Sequence, residues 1–252
     1  MSKENHYPEF VARFYDIIYA KIRTSVDHDY YLSKMRSANG PVLEIGVGTG
    51  RLFAEALKAA VDVYGFDLNQ PMLDQIKQRI PSAELHRIRQ ADVRNFTWDK
   101  KFALIAAPFR VMSHLLTVED QLSALARIKM HMSPGGVFIW DVFIPDPVFC
   151  SKGMEPTLDF EGFWKEGKKV QRITSAKPAP SEQINYASMR YIWDDDDGAH
   201  DETWTFPMRY YFRYEIEHLL RIAGFKIINI FGDFNENLVQ DTSKDFVVVC
   251  GT

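Results

Sequence analysis

Thiols are scarce in this chain: Cys150 and Cys250 are its two cysteines in 252 residues. They lack CxxC spacing and are too few for a disulfide framework, which fits a reduced, cytoplasmic compartment. A basic surplus is also missing. Lysine and arginine total 30 against 34 aspartate and glutamate, for a formal charge of −4 and no basic tail. That argues against an affinity built mainly on neutralising phosphates, a local basic patch aside, so no nucleic-acid partner is expected. No apolar run approaches the ~20 residues needed to cross a bilayer, so no membrane partner is expected either. Met1 to Phe10 is polar, without the apolar stretch of a signal peptide. His28, His86, His131, His200 and His218 are scattered without ligand spacing, so no metal is expected. The run Asp194 to Asp197 followed by Gly198 suggests a calcium loop, but Trp193 stands where the first Asp should be. A solvated hairpin turn is the simpler account.

What the chain does have is the balance of a globular protein: 46% hydrophobic and 25% charged residues. Its length suits one large α/β domain or a domain with a sizeable insertion. Residues 8–38 read as helical. Phe10, Phe14, Ile17 and Ile18 recur at helical spacing, and a second helix, about Asp27 to Ser37, stops at Asn39-Gly40-Pro41. From Pro41 to Phe143 short apolar runs alternate with amphipathic helices. Strands are expected at Val42 to Ile45, Val61 to Phe66, Glu84 to Ala91, Phe102 to Ala107 and Val137 to Val142. Helices are expected at Arg51 to Ala60, after a cap at Asn69, and from Thr117 to about Met132, closed by Ser133-Pro134-Gly135-Gly136. Such alternation implies a parallel sheet with right-handed crossovers.

Residues 144–211 break the rhythm. Strand-like runs around Lys169–Ser175, Gln183–Trp193 and Glu202–Tyr211 are separated by Lys177-Pro178-Ala179-Pro180 and by Asp194 to His200, an antiparallel meander. The end returns to α/β: a helix from about Tyr214 to Ala223 closed by Gly224, then strands Phe225 to Ile230 and Phe246 to Cys250. The expected architecture is therefore α/β, a Rossmann-like, seven-stranded, mostly parallel sheet with helices on both faces and an inserted antiparallel β-meander. It divides into an N-terminal helical cap (1–40), a Rossmann-like domain (41–143 and 212–252) and an inserted lid (144–211).

The decisive stretch is Val42-Leu43-Glu44-Ile45-Gly46-Val47-Gly48-Thr49-Gly50-Arg51-Leu52, a buried strand entering a glycine-rich turn and a helix. Glycines suit a backbone that turns tightly and approaches a ligand closely, although such a turn can also be only a turn. The context strengthens it. Asp67 lies seventeen residues past Gly50 at the end of the next strand, where a carboxylate can accept from both hydroxyls of a ribose. Gln90-Ala91-Asp92-Val93 closes the third strand, where an acid and a backbone amide can read an adenine edge.

In this order and spacing the sequence resembles the class I S-adenosylmethionine-dependent methyltransferases over nearly its whole length. Gly46, Gly48 and Gly50 give GxGxG, the form of that family, rather than the GxGxxG of dinucleotide-binding proteins. The resemblance implies S-adenosylmethionine as cofactor and S-adenosylhomocysteine as product. Glu44 and the backbone from Gly46 through Gly48 to Gly50 would surround the methionyl part. Asp67 would take the ribose, Leu68 and Met72 would sandwich the adenine, and Asp92 with Val93 would read its edge. Pro108 and Phe109 would lie near the methionyl amine, with Arg23 reaching the carboxylate. Ala103 departs from the Asp many relatives carry, at a position facing away from the usual site. Within the family the likeness is nearest to small-molecule N-methyltransferases of the amino-sugar and glycine/sarcosine kind. It rests on Phe14-Tyr15-Asp16-Ile17-Ile18-Tyr19, on Pro108 to Leu115, and on the insertion.

Methyl transfer from a sulfonium is an in-line displacement, for which the protein supplies orientation and exclusion of water. His114, after the fourth strand, is the candidate base for an amine acceptor; capping or packing under its loop is the alternative. Tyr15 joins it as a catalytic candidate. Tyr15 and Tyr19 share a helical face and could orient substrate or favour a cation, while ordinary packing accounts for them equally well. Trp193, Arg209 and Tyr211 in the insertion are candidate substrate contacts or the core of a small sheet. A small-molecule acceptor is expected, and a homodimer is compatible with the sequence. The alternatives are an O-methyltransferase of a small metabolite, a non-catalytic S-adenosylmethionine-binding protein and, least fitting, a dehydrogenase. Adenine methylation in nucleic acid usually comes with Asp/Asn-Pro-Pro-Tyr/Phe where Ala107-Pro108-Phe109-Arg110 stands. Cytosine C5 methylation needs a cysteine nucleophile, and the surroundings of Cys150 match poorly.

Overall fold

Two helices lead the chain, α1 (Glu9–Ile22) and α2 (Val26–Arg36), and they go to different units. The structure, a computed structural model, describes residues 6–22 and 24–252. One unit joins Met1–Thr24 to Pro145–Tyr210; the larger joins Ser25–Ile144 to Tyr211–Thr252. The apolar stripe of α1 (Val11, Phe14, Ile18) is buried against the inserted sheet, whereas Tyr30, Tyr31 and Met35 of α2 are buried in the larger unit.

In the larger unit, β1 (Val42–Ile45), α3 (Arg51–Lys58), β2 (Val63–Asp67), α4 (Gln70–Ile76), β3 (Ile88–Gln90), β4 (Phe102–Ala107), α5 (Val118–His131) and β5 (Met132–Phe143) follow in turn. The helix α6 (Pro147–Lys152) and strands β6 (Met154–Lys165), β7 (Lys168–Ala179), β8 (Ile184–Asp195) and β9 (Gly198–Arg209) form the insertion. The chain then returns through α7 (Arg213–Ile222), β10 (Lys226–Phe231) and β11 (Asp245–Gly251). The large sheet runs β10-β11-β5-β4-β1-β2-β3. Its strands are parallel except β11, which is antiparallel to both β5 and β10.

Strand alternation sorts the core into two layers. Leu43, Ile45, Ile105, Phe138 and Trp140 pack with Leu125 and Ile128 of α5 and Ile216, Leu219 and Leu220 of α7. Val42, Leu104, Ala106, Ile139 and Val247 pack with α2, with Leu52 and Phe53 of α3, and with Leu73 and Ile76 of α4. Helices thus cover both faces, and each of these aliphatic side chains contributes roughly 1.5–3 kcal/mol by leaving water. The start of α5 is capped as its sequence suggests, Thr117 Oγ1 accepting from the Asp120 N–H at 3.1 Å.

Several local expectations are corrected. Residues 84–91 are mostly a 3-10 helix, Ser82–Arg87, with only Ile88–Gln90 as strand; none of that helix is buried, so no sheet face holds it extended. Asn69 occupies the N-cap position of α4 without a side-chain cap, because its amide turns to Asp67 Oδ1 at 3.3 Å. Ser133 to Gly136 lie inside β5, across a register shift between Phe102 and Leu104 on its neighbour β4. In the four-stranded antiparallel sheet β6-β7-β8-β9, Lys177 to Ala179 belong to β7. Pro178 is tolerated there because pairing with β6 ends at Ala176, leaving its ring on a locally open edge. The strand β6 has little sequence signal. Among its residues only Phe160 is buried and the pairing shifts three times, so apolar alternation never forms. The turn at Asp196-Asp197 is a two-residue hairpin, with Asp195 paired to Gly198.

Candidate functional site

In the larger unit the parallel strands β4, β1, β2 and β3 are neighbours, so the residues at their C-terminal ends gather at one edge of the sheet. Such an edge is where open α/β sheets bind ligands. Leaving β1, the N–H groups of Gly46 and Val47 both donate to the Phe66 carbonyl, at 2.8 and 3.1 Å. The loop then enters α3 through Gly46, Gly48 and Gly50, each at positive φ (74°, 56° and 79°). A Cβ on Gly50 would lie 2.1 Å from Ile76, and one on Gly46 would lie 2.5 Å from Val111, so packing as well as conformation demands glycine. At Gly48 an added Cβ would meet nothing within 4 Å. The loop's face is bare there.

Asp67 closes β2 directly beside this loop. Its Oδ2 accepts from the Gly48 N–H at 2.9 Å and its Oδ1 from the Asn69 N–H at 2.8 Å. Burial raises its pKa, against the pull of these backbone donors. Oδ1 also takes the Asn69 side-chain amide at 3.3 Å, so the acceptor capacity left for a further donor lies on Oδ2. Glu44, in β1, is 1% exposed, and its Oε2 is buried with no hydrogen-bond partner. Burial first, and then the neighbouring Asp67 charge, hold its pKa well above the carboxylate range. A buried acid left with acceptor capacity beside a bare loop fits a ligand that carries donors and positive charge.

Asp92, after β3, is 8% exposed and is gripped by Arg94: Nε reaches Oδ1 at 2.9 Å and Nη2 reaches Oδ2 at 2.5 Å. Arg94 also reaches Asp120 at 2.9 Å. The pairing with Arg94 holds the Asp92 pKa low against burial, keeping it an ionised acceptor. Val93 packs on the core, Met72 is buried, and Leu68 is half-buried with its carbonyl accepting from Gln90 Nε2 at 2.9 Å.

After β4, Pro108 is buried and Phe109 and Arg110 take left-handed conformations, φ 59° and 66°. A 3-10 turn, Val111–His114, follows. His114 sits at its end, and burial lowers its pKa to about 4. A histidine poised near neutrality is thus not what this environment produces; the ring is neutral at pH 7 and a weak proton acceptor. Tyr211 is fully buried, its hydroxyl donating to the Met112 and Leu115 carbonyls at 2.9 and 3.3 Å. It holds this 3-10 turn rather than facing a substrate.

The other expected contacts lie in the smaller unit. Tyr15 and Tyr19 stack on α1 with centroids 4.3 Å apart, and the Arg172 guanidinium lies 5.1 Å from the Tyr19 ring. Arg172 is 2% exposed and forks onto Asp159 at 3.0 and 2.7 Å. Trp193 is core, stacked on His200 at 4.7 Å and packed against Phe10 and Phe14. Arg209 reaches the Glu182 carbonyl at 3.4 Å. Arg23 lies outside the described residues. Asp195, Asp197 and His200 come together at the hairpin, with ligand atoms within 4.8 Å of one another. Asp195 is already paired with Arg13 at 2.7 Å, and Asp197 accepts from His200 at 2.8 Å when that nitrogen is protonated.

Two residues near the site were given no role by the motifs. Asp141, fully buried in β5, and Arg110 face each other at 3.3 Å. The available signal was a lone acid inside the apolar strand Phe138-Ile139-Trp140-Asp141-Val142, since a buried charge requires a partner. Among the described residues no helix is long and apolar enough to cross a membrane.

A family model described as a methyltransferase domain matches residues 42–136, the segment that carries the glycine loop, Asp67, Asp92 and His114. Over 98 residues the chain is 33% identical to a dTDP-3-amino-3,4,6-trideoxy-alpha-D-glucopyranose N,N-dimethyltransferase of Streptomyces venezuelae, covering 39% of this chain and 40% of that one. A glycine/sarcosine N-methyltransferase of Aphanothece halophytica is 24% identical over 250 residues, 97% of this chain and 89% of its own. The fold matches the crystal structure of an S-adenosylmethionine-dependent methyltransferase from Clostridium acetobutylicum, TM-score 0.76 at 19% identity, over 96% of this chain and 97% of the other. With the bare loop beside the strand-closing Asp67 and the single reversed strand β11, these likenesses show a methyltransferase domain over residues 42–136, in a chain with the fold of an S-adenosylmethionine-dependent methyltransferase.

Proposed function

We propose that the protein methylates a small molecule at an amine nitrogen. The observation that carries this reading is the union of the bare Gly48 backbone with the Asp67 carboxylate at 2.9 Å. It is supported by two relatives that are named as N-methyltransferases, of an amino sugar and of glycine and sarcosine.

S-adenosylmethionine, when bound, supplies a methyl group already activated on a sulfonium. The chain's own residues then bind and orient. Asp67 accepts from the ribose hydroxyls, while Asp92 and the Val93 backbone read the adenine edge, with Leu68 and Met72 flanking the ring. Glu44 and the loop from Gly46 to Gly50 take the methionyl end together with Pro108 and Phe109.

With its pKa lowered by burial to about 4, His114 is a weak proton acceptor, which is compatible with an amine acceptor. An amine can enter as its neutral free base, whereas a phenol or alcohol needs a competent proton acceptor. His114 then serves as a neutral hydrogen-bonding group at the acceptor. The roles assigned to Tyr15 and Tyr19 toward the acceptor are tested by Tyr15→Phe and Tyr19→Phe, read as a rise in acceptor KM.

Calorimetry with S-adenosylmethionine, S-adenosylhomocysteine and NAD tests the ligand. A screen of amino sugars, amino acids and small phenols, scored by release of S-adenosylhomocysteine, tests the acceptor. Turnover of amines alone supports the reading; turnover confined to phenols replaces it with O-methylation, and ligand binding without any turnover leaves a binding protein.

A further inference from the structure

The chain leaves β4 through two successive non-glycine residues in the left-handed region, Phe109 and Arg110. A residue with a Cβ is strained in that region, so the surroundings must impose the conformation. Three elements supply that constraint. From β5, Asp141 Oδ1 accepts the Phe109 N–H at 2.9 Å and the Tyr31 hydroxyl of α2 at 2.6 Å. Its other oxygen faces Arg110 Nε at 3.3 Å. Arg110 is 7% exposed and also pairs with Asp245 of β11 at 2.6 Å and with Asp27 of α2 at 3.5 Å. Its guanidinium lies 4.1 Å from the Phe143 ring.

A buried ion cluster of this kind is a poor stabiliser, because desolvating the charges offsets most of their attraction. What it provides is geometry. Asp141 holds the backbone N–H of one left-handed residue and the side chain of the next, so the turn has a single arrangement. The consequence appears one residue on. Val111 Cγ2 sits 2.5 Å from the position a Cβ on Gly46 would take, so the segment after the turn rests directly on the glycine loop.

We propose that Arg110 and Asp141 are positioning residues for the methionyl end of the cofactor cradle, locking the Phe109–Arg110 turn so that Val111 seats on Gly46. The proposal rests on the reading of the loop as the S-adenosyl site. Adenosine, which has the ribose and adenine but no amino acid, engages Asp67 and Asp92 alone; S-adenosylhomocysteine needs the turn as well.

The test is calorimetry of both ligands on wild type, Asp141→Ala, Asp141→Asn, Arg110→Met and Arg110→Lys. Asp141→Ala and Arg110→Met should weaken S-adenosylhomocysteine about 10- to 100-fold, while adenosine changes less than about threefold. Asp141→Asn, which keeps the oxygen that accepts from Phe109 and Tyr31, should recover part of the loss, and Arg110→Lys guards against a variant that fails to fold. Equal losses on both ligands, or no loss on either, overturn the positioning role. A wild-type protein that binds neither ligand overturns the reading of the loop, and the positioning role with it.

Discussion

The main-chain N–H of Gly48 donates to Oδ2 of Asp67 across 2.9 Å, joining the loop after the first strand to the acid that closes the second. Loop and acid are therefore one object. The carboxylate is oriented before any ligand arrives, and the ligand does not meet the entropy of ordering it.

Replacing Asp67 by Ala removes both this tether and the acceptor proposed for the ribose. Affinity for S-adenosylhomocysteine should fall about 100-fold, as expected for loss of charge-assisted hydrogen bonds in a buried site. Titration calorimetry on a variant with wild-type circular dichroism measures it; an unchanged Kd removes Asp67 from the site.

The glycines should separate into two kinds. Gly50→Ala drives a Cβ to within 2.1 Å of the buried Ile76 side chain and should cost about 2–4 kcal/mol of stability. Gly48→Ala meets no protein atom within 4 Å, so its cost is the left-handed backbone alone, about 1 kcal/mol. Cofactor binding should nevertheless suffer more in Gly48→Ala than its stability does. Urea unfolding alongside calorimetry distinguishes the two.

His114 has a folded pKa of about 4, below its ordinary 6.5. Between those values the unfolded chain binds the extra proton. The stability this histidine contributes is therefore complete above pH 6.5 and is lost as the pH falls toward 4, at no more than about 1.4 kcal/mol per pH unit. His114→Gln should flatten that part of the stability curve. In kinetics, kcat should show no inflection near pH 6.5 that disappears in His114→Gln; finding one would restore His114 as a general base.

Tyr211→Phe leaves the Met112 carbonyl without the hydroxyl that donates to it at 2.9 Å. Stability should fall by about 1–2 kcal/mol, a drop in Tm of about 2–8 °C for a chain of this size. Acceptor KM should hold constant if Tyr211 supports the 3-10 turn. A selective rise in KM at unchanged Tm would make it a substrate contact after all.

The glycine spacing, Asp67 and Asp92 were legible because each sits at a fixed offset from a strand end, and strand ends in a parallel sheet converge whatever the loops do. Arg110 and Asp141 were not legible as a pair. They come from β5 and the end of β4, and the positive φ of a Phe and an Arg has no compositional signature. His114 was visible as a residue but not in its chemistry, because a pKa follows from what surrounds the ring.

Local pattern by itself determined the order of helices and strands in the larger unit, the bare loop, and which acids close which strands, since these depend on side-chain period and on what a Cβ permits. Tertiary structure alone decided that α1 leaves its neighbour to pack on the inserted sheet and that Tyr211 faces inward. It also decided that three carboxylates from distant segments meet on one guanidinium. Those outcomes turn on which buried surfaces find each other, a long-range choice that no window of sequence contains.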